Sequence, residues 1–240
     1  MKVEHTPCYI LHRRDYSESS LILEVFSREY GRVNLLAKGA KRNKKQQADT
    51  FNLYQEYNIA WSAKSELGTL IDIEPLGAET LNPGLMMTGF YMNEVLLRLL
   101  HKDEPHPDLY DSYKETIYEL MNGEPEQIVL RYYEKNLLQS LGYGVILDHE
   151  VETGGNLISE NDYFYKYDFG PVLKKHTDSL GMIVSGKTLI EIDTESLIDT
   201  KNIKEAKILL GTILEQHLGN KPLASKSLYK SFIKHKKKDI

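Results

Sequence analysis

The spacing of apolar residues along this chain changes once, near Pro83. Before it, short runs carry apolar residues at every second position, the period of a strand with one buried face. Leu21, Leu23 and Val25 alternate with Ser20, Ile22 and Glu24; Val33 and Leu35 alternate with Arg32 and Asn34. Tyr57, Ile59 and Trp61 share one face of a later run, and Leu67, Thr69, Ile71 and Ile73 continue the period of two. Residues 8–11 predict a buried first strand, Gly31 and Gly39 bracket the third, and residues 40–50 predict a polar, lysine-rich loop. Five short strands in about eighty residues predict a small barrel, OB-like or SH3-like.

After Pro83 the spacing becomes three and four. Leu85, Gly89, Met92, Leu96 and Leu99 fall on one helical face, and Pro107 opens a second helix through Leu109, Tyr113, Ile117 and Leu120 to Gly123. Pro125 opens a third through Val129, Tyr132, Asn136 and Ser140, stopped by Gly142. Ile203, Ala206, Leu210, Ile213 and His217 predict another, ended by Gly219. Residues 148–194 show no clear period and read as an irregular lobe inserted in a helical domain. The expected architecture is α+β with two domains: residues 1–80 as a barrel and residues 81–240 as a helical domain with that lobe.

Charge sharpens this picture. The chain holds 30 Lys+Arg and 35 Asp+Glu, yet the bases crowd into two stretches. Residues 28–45 hold Arg28, Arg32, Lys38, Lys41, Arg42, Lys44 and Lys45 against Glu29 alone. The tail, residues 221–240, holds Lys221, Lys226, Lys230, Lys234, Lys236, Lys237 and Lys238 against Asp239. Without these stretches 16 bases face 33 acids, so the remainder carries −17. Like charges crowded this way repel unless a polyanion neutralises them, which points to nucleic acid. Arg13, Arg14, Arg28, Arg32, Lys38, Lys41, Arg42, Lys44, Lys45, Lys221 and Lys226 are the expected phosphate contacts, and Tyr16 and Tyr30 the expected platforms for base stacking.

Cys8 is the sole cysteine, which excludes an intramolecular disulfide and a thiolate zinc site. The opening residues lack the apolar core of a signal peptide and no apolar run reaches membrane-spanning length, so the expected location is cytoplasmic. No internal repeat, G-x-S-x-G or H-E-x-x-H occurs, and no enzymatic activity, cofactor or metal is expected. Residues 181–188, Gly-Met-Ile-Val-Ser-Gly-Lys-Thr, satisfy the phosphate-loop pattern, but the apolar triplet lies inside the supposed loop. That order predicts a short strand, a glycine turn and a brief helix instead.

Four blocks resemble one family in its own order. Residues 9–21 (YILHRRDYSESSL) and 24–40 (EVFSREYGRVNLLAKGA) are similar to the opening of the bacterial RecO recombination-mediator family. Residues 130–134 (LRYYE) with 141–144 (LGYG), and then 219–228 (GNKPLASKSL), resemble its third helix and its C-terminal signature. The resemblance implies an N-terminal OB fold and a nucleoid-associated role in recombinational repair. It implies binding and annealing of single strands, binding of double-stranded DNA, contacts with RecR and with the C-terminal tail of the single-stranded-DNA-binding protein SSB, and a link to RecF and to RecA loading. It further implies that a basic residue on the third helix, here Arg131, grips the SSB tail, against the simpler reading of an ion pair with Glu134 or Glu126. Many relatives carry two cysteine pairs for zinc after that helix; residues 147–176 here contain none. The alternative from another class is a generic OB-fold RNA-binding or ribosome-associated module.

Overall fold

The computed structural model describes residues 1–41, 51–77, 80–173 and 180–236. They form two compact units, Met1–Met121 with Lys221–Ile240, and Asn122–Asn220.

The first unit is built on a closed barrel of β1 (Lys2–Asp15), β2 (Leu21–Ser27), β3 (Gly31–Ala37), β4 (Glu56–Ser62) and β5 (Leu67–Pro75), in the order β1-β2-β3-β5-β4. β1 pairs with both β2 and β4, and β3 runs parallel to β5. That closure is the OB topology, which decides between the two barrels the strand pattern allowed. The interior follows the alternation: β3 is buried at every second residue, and Val3, Cys8, Ile10, Leu23, Val25, Leu35, Ile59 and Trp61 fill the centre. β2 is buried on both faces except at Glu24, because its outer side is also covered. Phe26 and Tyr9 pack there against Tyr110 and Tyr113, with ring centroids 5.0–6.3 Å apart.

Those two tyrosines sit on α2 (Pro107–Met121), which follows a 3-10 turn (Pro83–Leu85) and α1 (Met86–Leu99). Buried polar groups fix α1 to the barrel: Asn93 Nδ2 donates to the Leu11 carbonyl at 2.8 Å, and the Tyr113 hydroxyl donates to Asn93 Oδ1 at 2.6 Å. The tail, read from sequence only as a basic stretch, forms α6 (Ala224–Lys236), which packs on α1. Its first amides are capped from a distance, with Ala224 and Ser225 N–H each donating to the Glu94 carboxylate at 2.8 Å.

The second unit contains α3 (Glu126–Ser140), a three-stranded sheet ordered β7-β6-β8 (Gly170–Val172, Asp162–Lys166, Gly181–Ser185), α4 (Gly186–Asp193) and α5 (Thr200–Leu218). The lobe expected to be irregular therefore contains an antiparallel sheet. Its strands are three to five residues long, too short to show a period. The preceding turn is tied by Glu150, whose carboxylate accepts from the Glu152 and Thr153 amides at 2.9 Å and from the Thr153 hydroxyl. The Thr153 hydroxyl and these amides hold its carboxyl below the ordinary glutamate range.

α3 also departs from expectation. The predicted stripe was Val129, Tyr132, Asn136 and Ser140; the buried set is Val129, Arg131, Tyr133, Glu134, Lys135, Leu137 and Leu138. α4 and α5 both pack against this helix, so burial extends well beyond one stripe and takes in charged residues that must pair. Arg131 pairs with Glu134 at 2.8 Å, and Lys135 with Glu195 at 2.6 Å.

Candidate nucleic-acid interface

The expected phosphate contacts described on the barrel divide between the two ends of β2. At one end, the β1–β2 turn is folded back by Tyr16 and Ser17 N–H on the Ser20 carbonyl, at 3.1 and 3.4 Å. The segment leaving β3 is laced to it, with Lys41 N–H donating to the Ser19 carbonyl at 3.1 Å. This tip presents Arg14, Tyr16 and Lys38, all exposed, with Tyr16 at 59%. Lys41 belongs to the tip but is engaged, its ammonium lying 2.9 Å from both Asp15 Oδ2 and the Ser17 carbonyl. A bulge at Leu11 shifts the β1 register, so Arg13 lies opposite the core residue Leu23 and Arg14 opposite Ile22. Arg13 Nη1 accordingly donates to the Phe51 carbonyl at 2.9 Å. Arg42, Lys44 and Lys45 lie outside the described residues.

At the other end of β2, about 20 Å away at some 3.3 Å per residue, stand Arg28, Tyr30 and Arg32. Arg28 forms a two-pronged bond to Asp111 of α2, at 2.9 and 2.8 Å, on the surface. That pairing raises the Arg28 pKa and holds the Asp111 carboxyl below its ordinary range. Arg32 is half-buried: its guanidinium donates to the Leu97 and Leu100 carbonyls at the end of α1, at 2.5 and 3.3 Å, and to Glu24 at 2.8 Å. A cation on the last carbonyls of a helix complements its dipole, so Arg32 fastens α1 to the barrel. Tyr30 meets Trp61 edge-on at 5.2 Å against the barrel core, a packing contact.

Lys221 and Lys226, at the start of the tail helix, are exposed and belong to the same compact unit as the barrel. The Lys221 carbonyl accepts from Arg98 Nη2 at 2.5 Å. Arg131 lies in the other unit with only 4% of its surface exposed, held by Glu134; its Nε and Nη1 have no hydrogen-bond partner among the described residues.

The phosphate-loop-like stretch takes the expected strand–turn–helix form, β8 leading through Gly186 into α4. The N-terminus of α4 already holds an anion. Glu205 accepts from the Ser185 amide at 3.3 Å and from the Ser185 and Thr188 hydroxyls at 3.0 and 2.6 Å. The amides that the motif would turn on phosphate are taken as well, Gly186 and Lys187 N–H donating to the Asn161 and Ser159 carbonyls at 2.7 and 3.2 Å and Thr188 N–H to the Ser185 hydroxyl at 3.2 Å.

Among the described residues, one group of donors could hold a metal ion: His5, Asp72 and Glu74, all exposed. His149 is exposed and pairs with Asp148 at 2.8 Å, while His176 lies outside the described residues. No described helix is long and apolar enough to cross a membrane.

Comparison with known proteins bears on the whole chain. Residues 1–78 match the family model for the N-terminal part of recombination protein O, and residues 83–227 match that for its C-terminal part. A DNA repair protein RecO from Dechloromonas aromatica is 38% identical over 235 residues, covering 95% of this chain and 96% of that protein. Those of Nitrosococcus oceani and Coxiella burnetii are 39% and 40% identical, covering 95% of this chain and 93% and 98% of theirs. Two family models in sequence, an OB barrel at the N-terminus and near-complete coverage of such relatives establish that this chain belongs to the RecO family of DNA repair proteins.

Proposed function

We propose that this protein is a recombination mediator that binds single- and double-stranded DNA and anneals complementary single strands without covalent chemistry. The observation that carries the reading is an OB barrel whose β1–β2 tip presents Arg14, Lys38 and exposed Tyr16 together. Cations there can hold phosphates while the tyrosine stacks a base. Lys221 and Lys226 add charge on the same unit, and Arg42, Lys44 and Lys45 follow the tip residue Lys41 closely in sequence. In this reading residues 1–80 form the nucleic-acid-binding domain and residues 81–240 the helical one. Annealing follows from electrostatics: two backbones repel, and cations shared between them offset that repulsion. Arg28 and Arg32 contribute by fixing helices to the barrel, and reach phosphate only by releasing Asp111 or Glu24.

Partners complete the role. Binding the acidic tail of SSB targets the protein to coated strands, since two weak contacts on one complex act as a bivalent attachment. Binding RecR, and through it RecF, then promotes RecA loading in the nucleoid. Arg131 is the candidate for the SSB tail because two of its N–H groups lack acceptors, although a carboxylate can reach them only if the covering side chains part. The decisive experiment is annealing of complementary strands coated with SSB. The purified protein is expected to accelerate it, and no acceleration over SSB-coated strands alone would refute the reading.

A further inference from the structure

The barrel unit contains a cavity. It has a volume of about 460 Å³ and opens beside the last residues of β1. Its walls are aromatic and apolar, with Tyr54, Phe90, Leu81 and Met86; its polar groups come from His12, Arg13, Asn52 and Thr80. A cavity of this size with a few converging polar groups on apolar walls has the form of a small-ligand site.

We propose that this cavity receives one unstacked nucleobase of a bound single strand. The inference rests on the single-strand binding proposed above and assigns a second place where that strand is held. A base is flat, has a π-face for aromatic walls, and carries donors and acceptors along its edge. Phe90, half-buried at the cavity wall, offers the stacking surface, and its ring lies 6.5 Å from that of Tyr54. His12 and Asn52, whose Nδ2 also donates to Gln55 Oε1 at 3.3 Å, offer edge groups. Arg13 is locked in place by its bond to the Phe51 carbonyl.

The site is built rather than incidental. Tyr54 has a φ of 65°, a left-handed conformation that a bulky residue rarely adopts, and it is 2% exposed. Its ring is admitted only because residue 89 of α1 is glycine: a Cβ there would lie 2.5 Å from the tyrosine Cζ. The Tyr54 hydroxyl is buried and has no hydrogen-bond partner among the described residues, so a ligand in the adjoining cavity reaches it only if the covering side chains part. Position supports the same occupant. His12 and Arg13 lead directly into Arg14 and Tyr16 of the cationic tip, so a strand whose phosphates lie on the tip has its next bases within reach of the cavity.

The test compares a thymidylate oligonucleotide with a wholly abasic one of equal length, by fluorescence anisotropy. The wild-type protein is expected to bind the base-bearing strand about tenfold or more tightly than the abasic one, as stacking on aromatic walls is sequence-tolerant and strong. Phe90→Leu keeps an apolar wall but removes the π-face, and should narrow that gap about fivefold with abasic binding unchanged. Asn52→Ala should narrow it less, and photocrosslinks from an iodinated base should fall on Tyr54 or Phe90. Equal wild-type affinity for both strands would overturn this inference and the stacking role of Tyr16, and leave phosphate binding by the tip standing. Variants that leave the gap intact would overturn this inference alone, the outcome expected if a protein side chain is the true occupant. Failure of the wild-type protein to bind either strand would overturn single-strand binding and this inference together.

Discussion

Arg131 and Glu134 meet three residues apart on α3 with side chains only 5% and 2% exposed. Removing one member of a buried pair strands the other, a loss typically of about 3–5 kcal/mol, whereas apolar replacement of both is often neutral. Arg131→Ala is therefore expected to lower unfolding stability by that order in urea, and Arg131→Met with Glu134→Leu to recover most of it. Only a variant shown to be folded can report on the SSB tail, where loss of a charge-assisted contact should weaken peptide binding roughly tenfold. If the folded double variant binds the peptide normally, the tail lies elsewhere. The cations of the barrel sort by the same logic. Arg14 and Lys38 are exposed, while Arg32 is engaged by two carbonyls and Glu24. Replacing Arg14 and Lys38 with Ala should flatten the log–log salt slope for single strands by about 1.4, at roughly 0.7 per phosphate contact. Arg32→Ala should cost stability first. Titrations showing the reverse pattern would move the DNA to the other end of β2.

At the scale of elements, carboxylates from distant residues reach the starts of two helices. Ser185 caps α4 and Glu205 of α5 braces the Ser185 and Thr188 hydroxyls there, while Glu94 of α1 caps α6 directly. Burial opposes the charge of Glu94, but the Ser225 hydroxyl, the Ser225 and Ala224 amides and Arg98 outweigh it, so its carboxyl sits below the ordinary value of 4.5. A depressed carboxyl pKa stabilises the fold above the unfolded value and loses that contribution as pH falls through the folded one. The docking of α6 should therefore hold at neutral pH and weaken below about pH 4.5. Amide exchange in Ala224–Lys236 is the measurement: Glu94→Gln should raise it at neutral pH, and the difference from wild type should shrink in acid. Equal exchange at neutral pH would show that Glu94 does not hold the helix. Occupation of the α4 N-terminus by Ser185 and Glu205 carries a further expectation, that Lys187→Ala leaves annealing unchanged with or without ATP.

Across the whole molecule, charge is partitioned between the compact units. Met1–Met121 with Lys221–Ile240 carries 21 bases and 19 acids, against 9 and 16 in Asn122–Asn220. The acidic unit repels a polyanion and the barrel unit does not, so long-range steering favours the barrel and tail, and binding should fall steeply with added salt. A nearly flat salt dependence would rule this out. Much of the architecture was legible in the residues themselves. Alternation marked β2 to β4, three-and-four spacing with Pro and Gly stops marked the long helices, and both basic stretches stood out by composition; β5 forms where expected, but a register shift at Ile71 turns that residue outward and sets Leu70 and Ile73 against the core. These signals are local, because the period of burial and the stops of a helix are properties of neighbouring residues. The closure of the barrel as an OB fold, the fastening of Arg28 by Asp111, the capping of α6 by Glu94 and the burial of Arg131 depended on tertiary structure. Asp111 lies 83 residues beyond Arg28, and Glu94 lies 130 before Ala224. A sequence pattern records which residues carry charge or aromatic surface; whether a cation is free for phosphate is decided by which acid the fold brings within 3 Å of it.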